Sequence, residues 1–228
     1  MDASVSYEGT AVKFCDVIAQ DYIEGLLLQG IWYELPNLEF VRSLKAEGNY
    51  VDVGAYIGTH TLFFSLFCPS KQVFSFEPQL DVFQKLTRNL EANGVTKCRA
   101  LNMGLSDAPG RGIVRSGETN KGAGWLLPGD AVEVVTLDSL NLRDVILLKI
   151  DVEGMELRVL RGAVNTLKSV QYLFVEMWPE HVCKRCGVDY TVEQAKEFLA
   201  PLGFELQPQK LKEDLFFFQR TGAKNAIK

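Results

Sequence analysis

Nine residues, Tyr50-Val51-Asp52-Val53-Gly54-Ala55-Tyr56-Ile57-Gly58, constrain the fold more than any other part of the chain. An apolar run ends in a glycine, with a second glycine close behind, so the segment reads as a buried strand that turns sharply into a helix. Gly54 permits the turn, and Gly58 lets the following helix pack close to the sheet and to a ligand. Backbone N–H groups at that helix start face whatever binds beyond the strand. The pattern is not the dinucleotide fingerprint, because Ala55 and Tyr56 stand where G-x-G-x-x-G has its second glycine. Tyr56 obstructs the close approach that a pyrophosphate needs, so a cofactor without one suits this loop better.

Around this loop the chain has an α/β rhythm. Short apolar runs predict strands over Tyr50–Val53, Gln72–Phe76, Cys98–Met103, Val145–Ile150 and Val170–Glu176. Helical periodicity falls between them, near Thr59–Phe67, Gln79–Asn93, Glu156–Leu167 and Val192–Leu202, which fits right-handed crossovers in a parallel sheet. Phe204–Gln207 and Leu215–Gln219 are joined by a link too short for a helical crossover and must pair antiparallel. Residues 107–137 hold six glycines and the strand-like Val132–Val135, so they predict a hairpin or loop insertion. The expectation is a single-domain, Rossmann-like α/β fold with a mostly parallel seven-stranded sheet and an antiparallel C-terminal hairpin, the layout of class I methyltransferases. Residues 1–48 are read as an N-terminal helical cap, 49–221 as the core and 222–228 as a polar tail.

Composition narrows the function. The 228 residues are 47% hydrophobic and carry a net charge of -5, which disfavours a nucleic-acid substrate. No apolar run is long enough to span a membrane, and Met1-Asp2-Ala3-Ser4 lacks the basic start of a secretory signal, so a cytoplasmic protein is expected. The five cysteines read as reduced thiols. His181, Cys183 and Cys186 offer three zinc ligands without a local fourth.

The candidate chemistry lies at strand ends, where open α/β sheets bind their ligands. Asp52 closes the first core strand inside the glycine loop. Glu77, in Phe76-Glu77-Pro78, ends the second, at the offset from the loop where an acid accepts ribose hydroxyls. Ser106 and Asp107 follow the third strand, where an adenine edge would lie, and either reads equally as a turn residue. The fourth strand ends in Lys149-Ile150-Asp151-Val152-Glu153-Gly154-Met155-Glu156, three acids and a lysine in one short stretch. Alternation places Lys149, Asp151 and Glu153 on one side, and a carboxylate in such a cluster can be tuned toward neutrality as a general base. Glu156 also suits the first turn of a helix.

Taken together, these motifs resemble the FkbM family of S-adenosylmethionine-dependent methyltransferases over about residues 30–178. The resemblance implies that Asp52, Gly54, Glu77 and Asp107 contact the cofactor and that Asp151 and Glu153 lie at the methyl-transfer site. Ala55, Tyr56, Gly58 and Ser106 complete the implied cofactor set. Glu34, in Trp32-Tyr33-Glu34, resembles an upstream acid that approaches the amino-acid end of the cofactor. One departure concerns the fifth strand, where Glu176-Met177-Trp178 puts a tryptophan in place of a histidine and leaves His181 further on. Trp178 is then either a stacking platform for an acceptor ring or a core residue. His60 either faces the cofactor or packs.

The implied activity is O-methylation of a sugar or glycan hydroxyl, with Asp151 or Glu153 as base and Lys149 steadying the alkoxide. A second version places a divalent ion, magnesium or manganese, on Asp151 and Glu176. A non-sugar small-molecule acceptor and a non-catalytic cofactor-binding module are the alternatives left open. NAD chemistry is disfavoured by the glycine pattern.

Overall fold

Side-chain alternation along the central strands sets the layering. In the computed structural model, Tyr50, Val73, Leu147 and Phe217 point to one face of the main sheet, while their neighbours Val51, Phe74, Leu148 and Phe218 point to the other. Both faces are apolar because both are covered, as a parallel sheet requires. The structure describes residues 1–115, 124–178, 181, 183, 191–209, 211 and 214–222.

The chain starts with two strands, β1 (Ala3–Tyr7) and β2 (Thr10–Phe14), followed by helices α1 (Tyr22–Leu28) and α2 (Leu35–Ser43). This corrects the purely helical reading of residues 1–48. Ala3, Val5 and Tyr7 alternate inward, and Glu8 and Gly9 take φ of 46° and 79°, the positive angles a tight hairpin turn requires.

The core runs through β3 (Gly48–Val53), α3 (Thr59–Phe67), β4 (Ser70–Phe76), α4 (Leu80–Ala92) and β5 (Cys98–Leu101). A four-stranded insertion follows, formed by β6 (Gly104–Leu105), β7 (Gly110–Arg115), β8 (Trp125–Pro128) and β9 (Val132–Val135). The core resumes with β10 (Val145–Ile150), α5 (Glu156–Arg161), β11 (Tyr172–Glu176), α6 (Val192–Leu199), β12 (Phe204–Leu206) and β13 (Leu215–Arg220).

The seven-stranded order is β12-β13-β11-β10-β3-β4-β5. Strands β11, β10, β3, β4 and β5 pair in parallel, and β13 runs antiparallel to both β11 and β12. The expected sheet and its C-terminal hairpin are therefore both present. Helix α5 stops at Arg161, short of the expected Leu167, with Gly162 as its C-cap; that position must be glycine, since a Cβ there would sit 2.1 Å from the Ser106 carbonyl oxygen.

Order reverses between β10 and β3, and this switch point fixes where a ligand binds. Packing carries the N-terminal segment to the same place. Val12, Phe14, Trp32 and Leu38 share one core with Phe63 of α3 and Leu86 of α4. Among the described residues, no helix is long and apolar enough to cross a membrane.

Candidate active site

The carboxyl ends of β3, β4, β10 and β11 open onto a cavity of about 640 Å³, within the range of small-molecule sites. Its wall combines strand-end residues such as Gly54 and Glu77, Tyr22, Tyr33 and Glu34 from the N-terminal segment, and Val114 and Leu126 from the insertion. Three non-glycine wall residues hold left-handed backbones: Glu34, Tyr56 and Glu153, with φ of 54°, 50° and 53°. Such conformations cost energy and concentrate at functional sites.

Gly54 is required for two reasons. Its φ is +76°, and a Cβ would lie 1.7 Å from the Asp151 carbonyl oxygen, so the glycine allows the ends of β3 and β10 to meet. Gly58 serves helix packing, since a Cβ there would press on Leu86 Cδ1 at 2.6 Å. Neither Gly58 nor Ala55 is part of the cavity wall.

Glu77 is on the wall and nearly buried. Its carboxylate accepts the Tyr56 N–H at 3.0 Å and the Gln79 N–H at 2.8 Å. Burial pushes this carboxyl up to about 7, against the pull of those two N–H groups. The position expected of a ribose acceptor is therefore occupied by a carboxylate already fixed to the glycine loop.

Asp52 is placed differently from the expectation. It is fully buried beneath the loop, accepts the Thr61 hydroxyl at 2.6 Å and lies 3.2 Å from Lys149 Nζ. It braces the floor of the site. Lys149 is also below the cavity, donating to the Gly54 carbonyl at 3.0 Å and pairing with Asp151 at 3.2 Å. Burial would favour its neutral form, but Asp151 and Asp52 outweigh that and hold it charged, above the usual lysine range. A buried ammonium with these partners is not presented to an alkoxide, which removes the role expected for it.

The same pairing changes the reading of Asp151. Burial would raise its carboxyl, yet the Lys149 ammonium and a hydrogen bond with Glu176 hold it well below the usual carboxylate range. It is not poised near neutrality, and a carboxylate so stabilised is a weak proton acceptor. Glu153 lies on the wall nearby. Glu156 folds back instead, accepting the Val152 and Gly154 N–H groups at 3.1 and 3.0 Å.

A resident divalent ion does not fit here. Asp151 and Glu176 do converge, but they hydrogen-bond each other beside an ammonium, and among the described residues no group of three His, Cys, Asp or Glu forms a ligand set. Ser106 and Asp107 lie off the wall. Ser106 donates to Asp107 at 3.1 Å, and Met103, Gly104 and Leu105 face the cavity in their stead.

Trp178 is on the wall. His60 is buried and off the wall, 3.3 Å from Glu34 Oε2. His181 is exposed, Cys183 is buried with its thiol 3.4 Å from the Trp178 carbonyl, and Cys186 lies outside the described residues. Asp214, Tyr22 and Tyr33 also line the cavity, and the sequence reading gave them no such role. Tyr22 and Tyr33 carried a faint signal, as aromatics within the expected N-terminal cap. Asp214 carried none.

Known methyltransferases resemble this chain in sequence and in fold. The hexuronic acid methyltransferase AglP of Haloferax volcanii is 35% identical over 136 residues, 55% of this chain and 54% of that protein. The methyltransferase sdnD of Sordaria araneosa is 28% identical over 60% of this chain and 69% of its own length. The chain thus spans about half the length of the Haloferax relative. Among solved structures, a methyltransferase FkbM from Methylobacillus flagellatus superimposes with a TM-score of 0.51 at 18% identity, covering 76% of this chain and 43% of that one. A putative rRNA methylase from Clostridium thermocellum gives 0.52 at 12%, covering 81% and 93%; at these identities the likeness is one of fold. The methyltransferase FkbM domain matches residues 52–206, more than half of the chain, and the protein belongs to that family.

Proposed function

We propose that the protein transfers a methyl group from S-adenosylmethionine to a hydroxyl of a sugar or glycan. The observation that carries this reading is one cavity with the loop-bound carboxylate of Glu77 at β4 and the acids Asp151 and Glu153 beyond β10. The sulfonium supplies an electrophilic methyl: the acceptor oxygen forms the new C–O bond as the C–S bond breaks, leaving S-adenosylhomocysteine.

The chain's residues then have distinct tasks. Glu77 accepts the ribose hydroxyls, and Met103, Gly104 and Leu105, which line the cavity, bound the nucleoside. Asp151, kept anionic by Lys149, orients the acceptor hydroxyl, and Glu153 takes its proton. Trp178 offers an apolar face for a sugar ring. The name of the Haloferax relative, a hexuronic acid methyltransferase, supports a sugar acceptor.

The test is calorimetry with S-adenosylmethionine and with NAD, followed by mass spectrometry of a panel of neutral sugars, hexuronates, glycans and non-sugar alcohols. Binding of S-adenosylmethionine and gain of one methyl by a sugar is the expected result. Binding of NAD alone, or methylation confined to non-sugar acceptors, overturns the reading.

A further inference from the structure

The family match begins at residue 52, yet a buried network ties the cofactor loop to a residue well before it. Glu24, on α1, is 1% exposed. Its carboxylate receives Lys85 Nζ of α4 at 2.8 and 2.9 Å, the Tyr56 hydroxyl at 2.9 Å and the Ile18 N–H at 2.5 Å. Lys85 is also buried, so the pair sits away from solvent and each charge depends on the other.

Tyr56 connects this network to the site. Its hydroxyl is held by Glu24 while its backbone, at a φ of 50°, turns its N–H onto Glu77. A tyrosine in a left-handed backbone needs outside support, and here the ring is anchored at one end and the N–H at the other. Asn89 of α4 reinforces the arrangement, donating to the Ile57 carbonyl at 2.8 Å and accepting the Cys15 N–H at 2.7 Å.

We propose that Glu24 is a positioning residue for the cofactor site: through the Tyr56 hydroxyl it fixes the glycine loop and, with it, the Glu77 carboxylate. Residues 1–28 are on this view a working part of the cofactor pocket rather than a lid over a site complete without them. The proposal rests on the cofactor reading above only for the ligand; the positioning itself is a property of the free protein.

The experiment uses Tyr56→Phe, which removes one hydroxyl and leaves the Glu24–Lys85 pair intact, alongside Glu24→Gln. In the free protein, hydrogen exchange over residues 54–58 should accelerate about tenfold in both variants. The KM for S-adenosylmethionine should rise about three- to tenfold in Tyr56→Phe, with little change in kcat or acceptor KM and a melting midpoint close to the parent's. In the double variant the effect should not exceed that of Glu24→Gln alone, because both act through one network. Unchanged loop exchange, or a rise confined to acceptor KM, overturns the proposal even if Glu24→Gln melts early. If the parent does not bind S-adenosylmethionine but loop exchange still rises in the variants, the cofactor reading fails and the positioning role stands.

Discussion

The loops after β3 and β10 are built alike and used differently. Each contains a glycine at positive φ, Gly54 at 76° and Gly154 at 95°, and a larger residue that is also left-handed, Tyr56 or Glu153. Each is held by one glutamate: Glu77 accepts the Tyr56 N–H of the first loop as well as the Gln79 N–H of its own segment, and Glu156 accepts the Val152 and Gly154 N–H groups, both of the second loop. Glu77 reaches across from the neighbouring strand and stands on the cavity wall, whereas Glu156 comes from the helix its own loop starts and is 2% exposed. The comparison teaches that a carboxylate bound to a loop's N–H groups marks a braced loop; only its relation to the cavity marks a ligand site. Lys149 links the two loops from beneath, through the Gly54 carbonyl and the Asp151 carboxylate.

The largest effect expected from breaking this symmetry is on chemistry. Glu153→Gln should lower turnover roughly 10² to 10⁴-fold and remove the acid limb of the pH–rate profile, since it deletes the proposed proton acceptor. Asp151→Asn should slow turnover but keep that limb, because Asp151 is already held anionic by Lys149. Rate profiles for both variants decide between them. Near-normal turnover in Glu153→Gln would move the base elsewhere.

Next comes the shared floor. Lys149→Met leaves Asp52, fully buried, and Asp151 without their counter-charge. A loss of about 3 to 5 kcal/mol in urea unfolding is expected, the usual consequence of removing one partner from a buried ion pair. A midpoint equal to the parent's would mean that the ammonium does not hold the two loops together.

How much of this was legible follows from the range of each interaction. The strands announced themselves as apolar runs such as Val145–Ile150, because a strand covered on both faces needs no polar alternation. Glu77 was legible because its offset from the glycine loop reflects one strand–helix–strand unit. The first hairpin was missed despite a local signal, inward Ala3, Val5 and Tyr7 with Glu8-Gly9 at the turn, because five-residue strands on either side of a tight turn give too short an alternation to stand out. The fate of Lys149 was not legible in principle. Whether its ammonium faces the cavity or the floor depends on Asp52 and the Gly54 carbonyl, which chain folding alone brings beneath it. Likewise Lys85 and Glu24 are 61 positions apart, and no spacing rule joins them.

The two bracing glutamates should then separate under substitution. Glu77→Ala should weaken S-adenosylmethionine binding by about 1.5 to 3 kcal/mol, the scale of a lost hydrogen bond to a charged group. Glu156→Gln should cost about 1 to 2 kcal/mol of folding stability, because a neutral amide replaces the carboxylate that holds two N–H groups, with cofactor affinity nearly unchanged. Calorimetry and urea unfolding on both variants read the difference. Equal losses of affinity would erase the distinction drawn between the loops.

The smallest effect is a pH dependence specific to Glu77. Burial raises its carboxyl from an ordinary 4.5 to about 7, so below neutrality the free protein holds it largely protonated. A protonated carboxyl accepts ribose hydroxyls poorly, and binding must first release that proton. Affinity for S-adenosylmethionine should therefore climb roughly tenfold between pH 6 and 8 and level off above, with proton release seen in buffers of different ionisation enthalpy. For folding the sign is opposite. Between 4.5 and about 7 the native state keeps a proton that the unfolded chain has lost, so this group's contribution to stability falls as pH rises through that window and is constant above it. Glu77→Gln, neutral throughout, should flatten both dependences, while Glu156→Gln should leave them as they are. A Glu77→Gln variant that retains the climb in affinity would show that another group in the cavity carries the proton.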